Sequence, residues 1–239
     1  MPDSVQQKQK RPVKRRSDYG SVQATERDLY VLHWIGQMYA ARLDHVQVLG
    51  ALKAEDKTIQ LSGQLGYSAM KNIYRRWLKA GWVEKQKLLV SEPQWLWLSR
   101  RGLQAVGLDY AYRSPSLARL RHIHEVNRVR LYIEGVLGDK AEWVSERDIN
   151  QARKEAGKKH LVDGELLFAG KRIAIEVELN RKSQKRMASI LQELRRDYEA
   201  VWYFADTACW QTVQTAMSQQ SHYQETFVLY NLADVGRSE

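Results

Sequence analysis

The sequence predicts an α+β protein, grading into α/β in its second half, built from two differently patterned parts. Three observations carry this expectation. Met70, Ile73, Tyr74, Trp77 and Leu78 form an apolar stripe at helical spacing. Residues 173–179 (IAIEVEL) alternate as a strand does. From Ser116 onward, the apolar runs read in the order α-β-β-β-α-β-α-β.

Residues 1–19 contain Lys8, Lys10, Arg11, Lys14, Arg15 and Arg16 with almost no apolar content. They read as a disordered basic arm, either lying along DNA phosphates or an incidental terminus. Thr25 and Asp28 resemble a capping box with Asp in place of Glu. The helix they open carries Leu29, Leu32, Ile35 and Tyr39 on one face, with Trp34 nearby. A second helix is expected over 43–52, burying Val46, Leu49 and Leu52. Gly66-Tyr67-Ser68 then supplies a turn and an N-cap for the helix bearing the apolar stripe, and Gly81 ends it. Its other face presents Lys71, Asn72, Arg75, Arg76 and Lys79. Trp82-Val83, a basic tip at Lys85 and Lys87, and the strand-like run 95–98 read as a β-hairpin. Ser99 then caps a short helix to Val106. Three helices, a hairpin and a closing helix over residues 20–110 are the order of a winged helix-turn-helix. The basic helix would be its recognition helix, and the hairpin around Lys85 its wing. Asn72, Arg75 and Arg76 are the candidates for reading base pairs. The alternative is a solvated basic face with no ligand.

The second part covers 115–235. Pro115 suits a first helical turn, and a long helix follows from Ser116 to about Leu137. Leu117, Leu120, His124, Asn127, Leu131 and Val136 run through it among Arg119, Arg121, Arg128 and Arg130. Asn127 is unfavourable in mid-helix, which points to a specific polar contact. His122 and His124 are each either structural histidines or site residues. Residues 141–145 read as a short strand, and 146–159 as a charged helix or loop near substrate. The stretch 160–186 is the centre. Leu161, Val162, Leu166, Leu167 and Phe168 form one apolar run, Gly170-Lys171 a turn, and 173–179 the next strand. Alternation puts Glu176 and Glu178 on one face, opposite Ile173, Ile175, Val177 and Leu179. Asp163, on the preceding strand, comes level with them. Three converging carboxylates with Lys182 and Lys185 just beyond are unfavourable unless a cation sits among them. Oxygen ligands suit a hard divalent ion. The competing reading is the solvent face of an edge strand, but the aliphatic density suits an inner strand covered on both sides. A helix over 183–198 turns Met187, Ile190, Leu191, Leu194 and Tyr198 inward. Its basic opening (Lys182, Lys185, Arg186) opposes the helix dipole and so favours a functional role. A buried strand at 201–204, a helix at 206–217 and a strand at 226–230 complete the chain.

Composition bounds the partners. The formal charge of +10 and pI near 9.6 point to a polyanion, most often nucleic acid. Cys209 is the single cysteine, which excludes a disulfide framework and a thiolate zinc site. No apolar run is long enough to cross a bilayer, and the N-terminus lacks a signal-peptide core. A cytoplasmic protein without membrane insertion is expected.

The order of elements, with an acid on the second strand and E-x-E on the third, resembles the PD-(D/E)xK restriction-endonuclease-like fold. The segments HEVNRVRL (124–131), VDGELLF and AIEVELNRKS are similar to the MobC plasmid relaxases of the MOBC class. These belong to the replication-relaxation family, which has a winged helix ahead of its nuclease-like domain. The resemblance spans about Thr25 to Tyr230. It implies a conjugative mobilisation relaxase that binds a plasmid origin of transfer, opens it locally and nicks one strand, working with a coupling protein or accessory mobilisation protein. It also implies that Asp163, Glu176 and Glu178 hold Mg2+ or Mn2+. Lys182 or Lys185 would be the basic residue, and Asn127 with His122 or His124 the His-Asn helix motif. Two departures stand out: the proline of "PD" is Val162, and the lysine of (D/E)xK is Glu178. A metal-activated water would attack the phosphate in line, unless Tyr198 or Tyr203 serves as nucleophile. The competing functions are a non-catalytic DNA-binding accessory protein or repressor, and a restriction or repair nuclease that cuts both strands.

Overall fold

Helix α1 (Glu26–Gln37) opens on the expected capping box: Asp28 N–H donates to Thr25 Oγ1 (3.2 Å), and Thr25 N–H to Asp28 Oδ2 (2.9 Å). The computed structural model describes residues 22–52, 63–153, 160–220 and 223–236; the basic arm at 1–19 and positions 154–159 of the charged segment lie outside them. Asp28, Val31, Leu32 and Ile35 form the buried stripe of α1, so Leu29, one position off it, is exposed. A two-residue strand that the sequence reading missed, β1 (Ala41–Arg42), leads into α2 (Leu43–Leu52), where Val46 and Leu49 are buried and Leu52 is exposed. Helix α3 (Tyr67–Lys79) begins one residue before Ser68, with Gly66 at its N-cap and no side-chain cap bond. Strands β2 (Val83–Gln86) and β3 (Trp95–Leu98) form the hairpin, and α4 (Arg100–Ala105) follows on its Ser99 cap. The three strands make an antiparallel sheet in the order β1-β3-β2.

A 3-10 turn at Leu117–Arg119 precedes the long helix, which is α-helical only as α5 (Leu120–Leu137). Leu117 and Val136 point outward, and the buried stripe is Leu120, Ile123, Val126, Val129 and Ile133. Then come β4 (Ala141–Ser145), α6 (Glu146–Ala152), β5 (Gly164–Phe168), β6 (Lys171–Glu178), α7 (Gln184–Asp197), β7 (Ala200–Ala205), α8 (Thr207–Ser218), a single turn α9 (Tyr223–Thr226) and β8 (Phe227–Asn231). They build a mixed five-stranded sheet, β4-β5-β6-β7-β8, antiparallel through β6 and parallel from β6 to β8. The molecule is therefore a mixed α+β protein. Among the described residues no helix is long and apolar enough to cross a membrane.

Strand β6 is central, and both of its faces are covered, which rules out the edge-strand reading. Ile173, Ile175 and Val177 join a core shared with Val126, Val129 and Ile133 of α5 and with the helices of the first part. Ala174, on the opposite face, packs with Met187, Ile190 and Leu191 of α7 and Val213 of α8. Each fully buried aliphatic here contributes roughly 1.5–3 kcal/mol. Helix α5 thus lies between the two sheets. Polar bonds join the same regions: Trp34 Nε1 donates to Glu134 (2.9 Å), and Arg147 donates to the carbonyls of Gly36 (2.7 Å) and Ala111 (2.8 Å).

Candidate active site

The β5–β6 hairpin sets the geometry. Its two-residue connection is Ala169-Gly170, one residue earlier than the Gly170-Lys171 turn expected, and their φ values of 51° and 74° are the left-handed pair of a type I′ turn. This fixes the register that places Gly164 opposite Ile175. Asp163 is not on the strand but immediately before it, and its Oδ2 accepts from Val177 N–H at 2.8 Å. A Cβ on Gly164 would lie 2.3 Å from the Trp143 ring, so only glycine lets β4 close over this point. On the other side, β7 sets Glu176 beside Tyr203 and Glu178 beside Ala205. The Glu178 carbonyl accepts from Asp206 N–H at 2.9 Å.

Every carboxylate in the cluster meets a basic group. His122 Nε2 lies 2.7 Å from Asp163 Oδ1, and His160 Nε2 lies 2.9 Å from Glu176 Oε1. Lys182 Nζ donates to Glu178, which also accepts from Asn180 N–H at 3.2 Å. All six groups, with Arg121, line one cavity of about 400 Å³ at the end of β6. Glu176 and Glu178 are only 6% and 4% exposed. Burial pushes the Glu176 carboxyl up to about 7; His160 pulls it down, and the nearby Asp163 charge adds to the rise. The Glu176 bond raises His160 above the usual histidine value against the effect of its burial. Burial disfavours charged His122, yet the Asp163 carboxylate outweighs it and His122 too is raised. Histidines held this way can donate or accept protons at a group in the cavity.

Asp163, Glu176, Glu178, Lys182 and His122 are thus gathered in one place. Lys182 precedes α7 rather than sitting in its first turn, and reaches back to Glu178; Lys185 is exposed and does not line the cavity. Asn127 makes its polar contact elsewhere: its amide donates to the Ala40 carbonyl (2.9 Å) and lies 3.3 Å from His45 Nδ1. His124 Nδ1 meets His45 Nε2 at 2.9 Å, so of the two candidate histidines His122 alone reaches the carboxylates. Tyr198 and Tyr203 are both buried. Tyr203 is fully buried, and its burial, with Glu176 and Glu178 nearby, raises its hydroxyl well above the usual value. Tyr198 donates to Glu165 (2.6 Å) and accepts from Arg153 (2.7 Å); the strand register puts Glu165 opposite Ala174, one turn of the pleat before Glu176. His160 and Arg121 were missed by the sequence reading. A histidine three residues before Asp163 was the available signal; nothing local marked Arg121, which binds Asp206 at 2.8 Å.

On α3, Asn72, Arg75 and Lys79 are exposed, and Lys71 is half-buried with Nζ 6.0 Å from the Tyr67 ring. Arg76 differs from its neighbours in having an acidic partner. It pairs with Asp28, a fully buried carboxylate that also accepts from Trp77 Nε1 at 2.9 Å. Burial raises Asp28, but Thr25 N–H, Trp77 and Arg76 together hold it below the usual carboxylate range. Lys85 lies within β2, its Nζ 4.8 Å from the Tyr74 ring centroid, rather than at the hairpin tip.

Among the described residues, no group of three or more His, Cys, Asp and Glu side chains is arranged so as to hold a metal ion. The donor chemistry nonetheless fits a hard divalent cation: three carboxylates line one cavity, one of them with its charge disfavoured by burial. Such a cation would take over from His160 and Lys182 as the neutralising partner. No protein-family model, no curated protein and no solved structure matches the chain.

Proposed function

We propose that the chain is a metal-dependent DNA-nicking enzyme of the relaxase type, with a winged helix-turn-helix formed by α1–α4 and β1–β3 and a PD-(D/E)xK-like site at the end of β6. The observation that carries this reading is the convergence of Asp163, Glu176, Glu178 and Lys182 on one cavity. Asp163, Glu176 and Glu178 would hold Mg2+ or Mn2+, which supplies Lewis acidity at a phosphate oxygen. Lys182 approaches from the connection to α7 and fills the place of the missing motif lysine, offsetting negative charge that builds up on the phosphate. His122 is positioned by Asp163 to move a proton at the attacking or leaving oxygen. The exposed cations of α3 would bind duplex phosphates and make binding salt-dependent. Plasmid transfer-origin DNA is the proposed substrate, with a coupling or accessory mobilisation protein as partner.

The test is nicking of supercoiled plasmids, with and without a transfer origin, by wild type and Glu176→Ala in Mg2+ or Mn2+. Origin-dependent open circles that vanish in the variant and in chelator are expected. Tight DNA binding without nicking under any metal would instead support a non-catalytic DNA-binding protein. Two observations favour that second reading: Glu178 occupies the motif lysine position, and each carboxylate already has a protein partner.

A further inference from the structure

The connection between β2 and β3 was expected to be a basic tip, but its apex is apolar. Val90 is 91% exposed and Leu89 40% exposed. Isolated exposed aliphatics need no explanation; these two adjoin each other at the end of a braced arm. Leu88, the next residue inward, packs against the cluster containing Trp95, Trp97 and Leu120. Glu92 N–H donates to the Leu89 carbonyl at 3.4 Å and closes the turn. The two acids of the hairpin have partners, Glu84 within it and Glu92, whose side chain is 34% exposed, at ion-pair distance from Arg42. Glu84 accepts from Trp97 Nε1 (3.0 Å) and Tyr112 OH (2.8 Å), and Glu92 lies 3.8 Å from Arg42. Exposed Lys87 flanks the apex, and Lys85 ties the arm to α3 through Tyr74. The arm thus presents two aliphatic side chains, held out and edged by positive charge, alongside the helix whose outer face carries Asn72, Arg75 and Lys79.

We infer that Leu89 and Val90 form a wedge that enters a base step of duplex DNA next to the site gripped by α3. Aliphatic side chains inserted from the minor groove unstack base pairs and kink the duplex, at a cost offset by wider contact. Positive charge beside the wedge matches the phosphates flanking that groove, whereas an apolar protein partner would gain nothing from it. The inference rests on the DNA-binding reading and assigns residues to its strand-opening step. It places local melting in the N-terminal sheet, apart from the carboxylate cavity.

The test uses the full chain and a 30-bp duplex that it selects from a random pool, with 2-aminopurine substituted singly along one strand. Wild type is expected to raise the fluorescence of probes at one discrete step, reporting unstacking. Leu89→Ser with Val90→Ser should return that signal to the level of free duplex at saturating protein, with affinity changed by less than about tenfold. Both sites are exposed, and an unchanged thermal unfolding midpoint verifies that the variant folds. Lys79→Ala should weaken binding yet keep the unstacking signal at saturation. A duplex that is bound with no unstacked step, or with one that persists in the double variant, overturns the wedge and leaves the DNA-binding reading intact. Failure to select or bind any duplex overturns both.

Discussion

His122 and His124 stand two residues apart on α5, yet they belong to opposite kinds of polar cluster. His122 faces Asp163 in the open cavity at the end of β6, and its charged form is favoured. His124 stacks on His45, with ring centroids 4.8 Å apart, and neither has a carboxylate bonded to its ring. There burial dominates: it lowers His45 to about 3 and His124 to about 4. The bonds agree with neutral rings. Asn127 Nδ2 donates to His45 Nδ1, which leaves the His45 Nε2 proton to donate to His124 Nδ1. A histidine beside a carboxylate is poised for proton transfer, whereas one bonded only to another histidine and an amide is a structural bond. The comparison teaches that neighbours, not residue type, divide the two roles.

The sharpest way to break it is to remove each histidine in turn. His122→Ala should lower the proposed plasmid nicking by about 10²-fold or more with little change in the unfolding midpoint. His124→Ala should lower the midpoint and leave nicking intact. Equal losses of activity in both variants would dissolve the distinction.

The acid limb of stability offers the next largest effect. His45 and His124 titrate lower in the folded chain than the usual 6.5 of an unfolded one. At these two rings the unfolded state therefore binds more protons below that value, and the pair's contribution to stability is lost as pH falls from about 6.5 toward 4. Their contribution is fully present above 6.5. Urea unfolding at pH 7 and pH 4.5 measures the loss, and a His124→Gln variant should show a shallower one. An identical slope in the variant would assign the acid limb to other groups.

Asn127→Ala tests the same cluster through its amide. It leaves the buried Ala40 carbonyl and His45 Nδ1 without their donor, at an expected cost of about 1–3 kcal/mol. A change below the error of the unfolding measurement would mean that water replaces the amide. The smallest effect belongs to Lys185. Its replacement by Ala should alter stability by no more than about 0.5 kcal/mol and leave nicking unchanged, whereas Lys182→Ala should reduce nicking. Reversal of that pair would move the site's cation onto α7.

Much of this architecture is legible along the chain. Thr25 and Asp28 announce the start of α1, and the alternation of 173–179 marks β6 and its two carboxylates. The misses have physical reasons. Strand β1 is two residues long, too short for any period, and exists because β3 pairs with it. Arg76 looks like its basic neighbours on α3 until Asp28, 48 residues earlier, is folded against it. The apolar apex at Leu89 and Val90 was hidden by the lysines that precede it, since sequence does not show where a strand ends.

Local patterning by itself determined that β6 is a strand with Glu176 and Glu178 on one face, because side-chain direction alternates with every strand residue. It also determined the basic outer face of α3, because helical spacing repeats every 3.6 residues. Only the tertiary structure decided which basic groups answer those carboxylates. Two steps along α5 rotate a side chain by about 200°, so His122 meets Asp163 while His124 meets α2. His160 enters from the segment before β5, and Lys182 from the connection before α7. Electrostatic pairing acts across space within a few ångströms, and chain spacing carries no record of which distant segments will be brought that close.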